Sequence, residues 1–167
     1  EFCVNSSLSL EQNATLVNNA SSRSAYANPQ GYIRFHGEDV LSLDGSAIDL
    51  INEWGNTYFV DVSEFPAFSS VWIKGGSVDV TSNALSMACA GALRLAGGDF
   101  RTSVDFVLSG PYEQTSDASW LRGNVDFEFS GSMLWTRGRM GGSGTTTITG
   151  TLQLEAPSVS SYVYLEN

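Results

Sequence analysis

The chain has 167 residues, of which 42% are hydrophobic, and a formal net charge of −10. This length and apolar content are enough for one globular domain with a core, and they exclude a disordered tail. The negative charge repels phosphate backbones and anionic headgroups, and no apolar run has the roughly 18 residues of a membrane helix. We therefore expect no nucleic-acid partner and no membrane insertion.

Residues that readily catalyse reactions near neutral pH are scarce. The chain has one histidine, His36, one lysine, Lys74, and two cysteines, Cys3 and Cys89. These residue types supply most general bases and nucleophiles. We therefore predict a non-enzymatic protein without a cofactor.

The first segment alternates between apolar and polar residues. Its apolar positions share one parity and are Val4, Leu8, Leu10, Ala14 and Leu16. This pattern predicts a long strand, and a polar linker then runs to residue 30. We expect residues 1–30 to be this strand and linker, and residues 31–167 to be a single β domain. Such a strand can pair within its own domain or add to a sheet of another subunit.

The sequons of this segment and the two cysteines of the chain favour an extracellular or cell-surface location. Three N-x-S/T sequons begin at Asn5, Asn13 and Asn19, on the polar side of the predicted strand. They are candidate glycosylation sites. The two cysteines lack C-x-x-C spacing, and we predict a Cys3–Cys89 disulfide rather than two free thiols. Closing so long a loop would stabilise the chain by about 4 kcal/mol.

A short helix is predicted between Ser46 and Gly55. Ser46 and Asp49 resemble a capping box, Ile48 and Ile51 give an apolar side, and Gly55 can end the helix. So short a helix must pack on a sheet to be stable.

Most of the remaining chain has strand periodicity. In the clearest case, Val125, Phe127 and Phe129 alternate with polar residues, and the same pattern occurs at residues 104–108. Further strands are predicted over 31–35, 57–62, 71–80, 84–95, 133–137, 148–154 and 162–165. Gly and Ser clusters separate them, and we detect no internal repeat. The pattern predicts an all-β fold, an antiparallel β-sandwich or flattened barrel with one short helix.

Several polar groups are weak candidates for a chemical site. His36 is followed by Glu38 and Asp39, but no second histidine is present, so a surface histidine is the simpler interpretation. Asp39, Asp44 and Asp49 recur every five residues, a spacing too sparse for a calcium loop. We therefore predict no metal site.

Two further patterns invite a chemical interpretation. Asp126 and Glu128 would lie roughly 7 Å apart on one strand face, as in a glycosidase pair, although exposed strand faces often carry such pairs. The glycine-rich residues 138–144, with Arg137 and Arg139, lack the following helix of a phosphate site. We interpret them as a hairpin loop.

The loop over residues 110–120 is the best binding candidate. The residues that we expect to contact a ligand are Tyr112, Glu113, Asp117 and Trp120. Aromatic rings stack on sugar rings, and carboxylates accept hydrogen bonds from sugar hydroxyls. The alternative is that both aromatic rings pack into the core.

Together these patterns predict a secreted structural or interaction domain that acts through β-strand-mediated assembly or surface adhesion. Its partners would be other protein subunits, including further copies of itself, or extracellular glycans. One alternative is a glycan-binding module that uses the aromatic loop. A second is a small-ligand barrel or a hydrolase that uses His36 or the Asp126–Glu128 pair.

Overall fold

The structure is a computed structural model. It describes residues 49–60, 69–81, 86–155 and 163–166, together with the backbone of five earlier strands. In chain order the strands are β1 (Phe2–Val4), β2 (Leu8–Leu10), β3 (Thr15–Asn19), β4 (Tyr32–His36), β5 (Leu41–Leu43), β6 (Asp49–Trp54), β7 (Asn56–Val60), β8 (Ser70–Ile73), β9 (Ser77–Thr81), β10 (Ser86–Cys89), β11 (Ala92–Leu95), β12 (Asp99–Thr102), β13 (Asp105–Leu108), β14 (Tyr112–Gln114), β15 (Trp120–Arg122), β16 (Phe127–Phe129), β17 (Met133–Trp135), β18 (Gly138–Gly141), β19 (Thr146–Ile148), β20 (Leu152–Leu154) and β21 (Val163–Glu166).

These strands form a β-solenoid of about 5 turns. Each complete coil contributes one strand to each of three sheets, as β11, β12 and β13 do. Sheet A has the order β1-β4-β7-β9-β12-β15-β18-β21, sheet C has the order β20-β17-β14-β11-β8-β6-β3, and sheet D has the order β10-β13-β16-β19. Strands β2 and β5 form a separate two-stranded sheet, sheet B. Every strand therefore pairs with a strand one coil away.

The all-β prediction is confirmed, but the antiparallel sandwich or barrel is wrong. All pairings are parallel, for example Asp99↔Trp120 between β12 and β15. Alternation reports which side of a strand is buried and carries no information on the direction of its partner. The Gly and Ser clusters mark solenoid corners rather than hairpins.

The predicted helix is also wrong. Asp49–Trp54 is strand β6, in which Leu50 and Asn52 are buried and pair with β8. Residues 46–48 lie outside the described part. Within the described ranges there is no helix, so none that could cross a membrane.

The core consists of columns, sets of residues aligned in register across successive strands. One column of sheet C contains Leu50, Val71, Leu93, Tyr112, Met133 and Leu152. Aromatic rings of different sheets meet between these columns. The Phe100 and Phe106 ring centroids lie 5.1 Å apart, and those of Tyr112 and Phe129 lie 5.2 Å apart. Stacking of successive coils therefore buries the apolar side of each strand.

Glycines allow the coils to approach closely at the corner between sheets D and C. A Cβ atom on Gly131 would lie 2.3 Å from the Gly110 carbonyl oxygen, and one on Gly150 would lie 2.0 Å from the Gly131 oxygen. Gly110 and Gly131 end two similar segments, V-D-F-V-L-S-G at 104–110 and V-D-F-E-F-S-G at 125–131. The sequence therefore does contain a repeat, contrary to our expectation.

The predicted disulfide is wrong. Cys89 is buried in sheet D as a free thiol, whereas Cys3 lies in β1 of sheet A. The Cys89 Sγ donates to the Gly91 carbonyl oxygen at 3.7 Å, and burial raises the pKa of the thiol to about 11.

Candidate functional site

The two aromatic residues of the predicted binding loop lie in different environments. Tyr112 is fully buried in sheet C, where its hydroxyl donates to Gln114 Oε1 at 2.8 Å and burial raises its pKa well above the usual value. Trp120 lies on the outer face of sheet A and is partly exposed. Only Trp120 is therefore positioned to meet a ligand from outside.

The two acidic residues of that loop lie on other surfaces. Glu113, on the outer face of sheet C, forms an ion pair in which its Oε2 lies 3.1 Å from Arg94 Nε. Asp117 lies in the corner between sheets C and A, 3.3 Å from Arg137 Nη1. The structure does not bring the four predicted side chains together.

The candidate Asp126–Glu128 pair is divided between a turn and a strand. Asp126 precedes β16, and its Oδ1 accepts the Thr145 backbone N–H at 2.6 Å, while its own N–H donates to Asp105 Oδ1 at 2.8 Å. Glu128 lies exposed on the outer face of sheet D. Asp105 and Asp126 therefore hold successive coils together at this corner.

The remaining candidate groups serve the fold where they are described. Residues 138–141 form strand β18, so the hairpin-loop interpretation is wrong. Asp49 accepts from the Ser70 and Ser69 hydroxyls, at 2.6 and 2.7 Å, and these bonds lower its pKa. His36 belongs to β4, while Asp39 and Asp44 lie outside the described residues. The described side chains contain no cluster of three metal-ligating groups.

The N-terminal strands pair within the chain. Val4 belongs to β1, Leu8 and Leu10 belong to β2, and Leu16 belongs to β3. These strands pair in parallel with β4, β5 and β6, respectively. Of the sequon asparagines, Asn19 ends β3, whereas Asn5 and Asn13, like the apolar Ala14, lie outside the described residues.

The outer face of sheet A carries a ladder of charged and aromatic side chains. Asp99 Oδ2 accepts from Arg122 Nη2 at 2.8 Å and from Arg101 Nη2 at 3.0 Å. Arg101 Nη1 also lies 3.6 Å from Asp79 Oδ1. The Arg122 guanidinium lies 4.3 Å from the centre of the Trp120 ring. These contacts fix two guanidinium groups side by side on adjacent strands.

A groove of about 610 Å³ opens beside this ladder and continues to the corner towards sheet D. Its walls carry the side chains of Arg101, Arg122, Trp120 and Glu166. Its lining residues also include Ser103, Asn124, Gly123, Gly141 and Gly142. Gly141 stands in register between Arg122 and Glu166, so a side chain is missing from this column. We regard the groove as the candidate binding site.

Sequence reasoning missed both arginines of the groove. Asp99 and Trp120 are register neighbours, and so are Arg101 and Arg122, two residues further along each strand. The segments are D-F-R at 99–101 and W-L-R at 120–122. Their separation of one repeat is the signal that could have brought them together.

The last coil exposes a second notable surface. Leu152, Leu154 and Leu165 are 42%, 59% and 64% exposed. Leu152 and Leu154 continue the inward columns of sheet C, and Leu165 continues a column of sheet A that includes Leu121 and Met140. Leucines in core positions are therefore exposed at this end of the stack.

Comparison with known proteins finds no match to this chain among family models, curated proteins or solved structures.

Proposed function

We propose that this chain is a non-enzymatic, extracellular structural protein that assembles by stacking copies head to tail. The last coil of one copy would pair with the first coil of the next copy and so continue the sheets. The three exposed leucines at the end of the stack are the observation that carries this proposal.

The last coil leaves apolar side chains exposed at positions that are buried in the preceding coils. Leu152 and Leu154 stand in register with Met133 and Trp135, which are 1% and 5% exposed one coil earlier. In the described chain β20 pairs with β17 on one side only. Such an edge offers backbone donors and acceptors to another strand, and its leucines gain from leaving water.

The other end of the stack is a suitable partner for this edge. Strands β1 and β3 end sheets A and C at the opposite side from β21 and β20. By register, Phe2 falls in the column that ends at Leu165, and Leu16 falls in the column that ends at Leu152. Because all strands are parallel, a second copy that follows in the same orientation keeps both direction and column.

This contact joins two different surfaces of the same chain. Such a heterologous interface does not close on itself unless a rotation brings it back, so stacking produces open oligomers whose size rises with concentration. Strand addition of this kind takes its affinity from main-chain hydrogen bonds and its register from side-chain columns. The sequons of the first segment support the extracellular location.

The test is the oligomer mass as a function of concentration, measured by sedimentation velocity and light scattering. We expect the mass of the wild type to rise with concentration. Leu154→Lys places a charge on the exposed edge and should leave a folded monomer, since lysine opposes edge pairing. Trp72→Lys is the matched control, because Trp72 is also exposed (36%) but lies on the outer face of β8.

Two outcomes would refute the proposal. One is a wild type that stays monomeric up to the highest soluble concentration. The other is a Leu154→Lys variant that assembles as the wild type does. Circular dichroism of both variants establishes that each retains its β structure.

A further inference from the structure

We propose that the groove on the outer face of sheet A binds a carboxylated saccharide, a short chain of sugar units that includes uronic acids. The proposal is independent of head-to-tail stacking, because the groove lies on a sheet face rather than on a strand edge. It rests on the space, the cations and the acceptors that the groove combines.

The groove has room for more than one sugar ring. Its volume of about 610 Å³ falls within the range of small-ligand sites, roughly 300–1,000 Å³. The space exists because Gly123, Gly141 and Gly142 contribute no side chains between the two walls. A Cβ on Gly142 would lie 1.6 Å from the Gly123 carbonyl oxygen, so coil stacking itself requires glycine there. The gap is thus a fixed part of the surface.

The first wall carries two arginines held in place. Arg122 is fixed by Asp99 and by the Trp120 ring, and Arg101 is fixed by Asp79 and Asp99. Asp99 occupies one Nη2 donor of Arg122, and a guanidinium has five N–H donors in a planar fork. Donors therefore remain for a ligand carboxylate, whose geometry matches that fork. Arginines already held in position lose little conformational entropy when they bind.

The second wall favours hydroxyl groups. Glu166 is 44% exposed, and its Oε1 lies 3.7 Å from Arg139 Nη1, which leaves acceptor capacity on the carboxylate. Asn124, which has a side-chain amide, also lines the groove. These groups exchange hydrogen bonds with sugar hydroxyls.

A ligand must satisfy both walls at once. A neutral sugar would offer the two arginines only hydroxyl oxygens, which are weaker acceptors than a carboxylate, and a compact anion such as sulfate would bring no hydroxyl donors to Glu166. A uronic acid unit carries one carboxylate and several hydroxyls on a single ring. The lining bears two cations and one anion, whereas the whole chain has a net charge of −10. Asp79 and Asp99 pair with these arginines from outside the lining, so the groove offers an anion guanidinium donors rather than a net positive charge.

The experiment is calorimetric titration with trigalacturonic acid, with maltotriose as the neutral saccharide of the same length. It uses the Leu154→Lys variant as well as the wild type, so that stacking of copies does not affect the result. We expect trigalacturonic acid to bind and maltotriose not to bind. Binding should weaken as the salt concentration rises, because exposed charges are screened.

A matched pair of variants locates the site. Arg101→Ala should weaken binding about tenfold, which corresponds to one charge-assisted hydrogen bond. Arg94→Ala should leave binding unchanged, because Arg94 has the same exposure (45%) and is also ion-paired but lies on sheet C. The proposal is overturned if trigalacturonic acid does not bind, if maltotriose binds equally well, or if both variants weaken binding to the same extent.

Discussion

The buried amide of Gln114 should be a main determinant of stability, and its replacement by leucine tests this. Gln114 is fully buried in β14, where its Nε2 donates to the carbonyl oxygens of Ser119 (3.0 Å) and Arg139 (2.9 Å). Its Oε1 accepts from the Tyr112 hydroxyl at 2.8 Å. The side chain thus joins the corner of its own coil to a strand of the next coil.

The expected change in the free energy of unfolding follows from the hydrogen bonds that each partner of Gln114 loses. Gln114→Leu replaces the amide with a branched apolar side chain and leaves the fully buried Tyr112 hydroxyl without its acceptor, at a cost of about 1–3 kcal/mol. The Ser119 carbonyl still accepts from the Arg139 N–H at 3.0 Å. With the lost bond to the Arg139 carbonyl included, we expect a total of about 2–4 kcal/mol.

A double-mutant cycle isolates the hydrogen bond between the two side chains. Tyr112→Phe alone should cost about 1–2 kcal/mol, since it leaves Gln114 Oε1 without a donor. The double variant removes both ends of the bond and should cost less than the sum of the single variants, by about 1–2 kcal/mol. Urea unfolding followed by far-ultraviolet circular dichroism gives these free energies.

Glu128→Leu is the control for Gln114→Leu, because it makes a similar change of shape on the exposed face of sheet D. It should alter the free energy of unfolding by no more than about 0.5 kcal/mol. The reasoning is refuted if Gln114→Leu is as stable as this control. Exact additivity of the two single variants would likewise show that the amide and the hydroxyl do not depend on each other.

Three further predictions concern the corner glycines and the buried thiol. Gly131→Ala should lower the free energy of unfolding by at least about 1 kcal/mol, because its Cβ would approach the Gly110 oxygen to 2.3 Å. Ser132→Ala, at the next position, which is exposed, is the control. Equal melting temperatures for the two variants would contradict the prediction. In a Cys3→Ser variant, iodoacetamide should alkylate Cys89 at least about 100-fold more slowly in the folded than in the urea-unfolded chain at pH 8, because a pKa near 11 instead of 9.0 reduces the thiolate fraction by that factor. The neutral thiol contributes its full stability below pH 9, and this contribution should be lost as the pH rises towards 11. Between pH 9 and 11 the free energy of unfolding should therefore fall more steeply for the wild type than for a Cys89→Ala variant.

The sequence located β13 and β16 because each strand buries one side, although the single strands predicted over 71–80 and 84–95 are each two strands. Val104 and Phe106 are 6% and 1% exposed, and Val125 and Phe127 are 8% and 3% exposed, as their alternation indicated. Burial of every second residue follows from the geometry of a single strand. It does not depend on the partner, so the prediction held although the architecture was wrong.

The architecture required information from outside any single strand. A parallel solenoid differs from an antiparallel sandwich in pairing residues that are one coil apart, such as Phe106 and Phe127. The similar segments at 104–110 and 125–131 contain that spacing, and a repeat of about 20 residues is the sequence signature of a stacked array. The helix prediction failed for a related reason, since Leu50 and Asn52 form part of columns that only the neighbouring coils complete.

The binding loop shows how a solenoid distributes its functional groups. Consecutive segments of the chain turn from one face to the next, so Tyr112 and Trp120 end in different sheets although only eight positions separate them. Arg101 and Arg122, one repeat apart, are register neighbours on the same face. The residues of one site in this fold are therefore register neighbours on successive coils rather than neighbours in the sequence. The same rule connects the two proposals, because outward columns build the groove, while the inward column through Leu121 ends at the exposed Leu165, where a further coil would continue it.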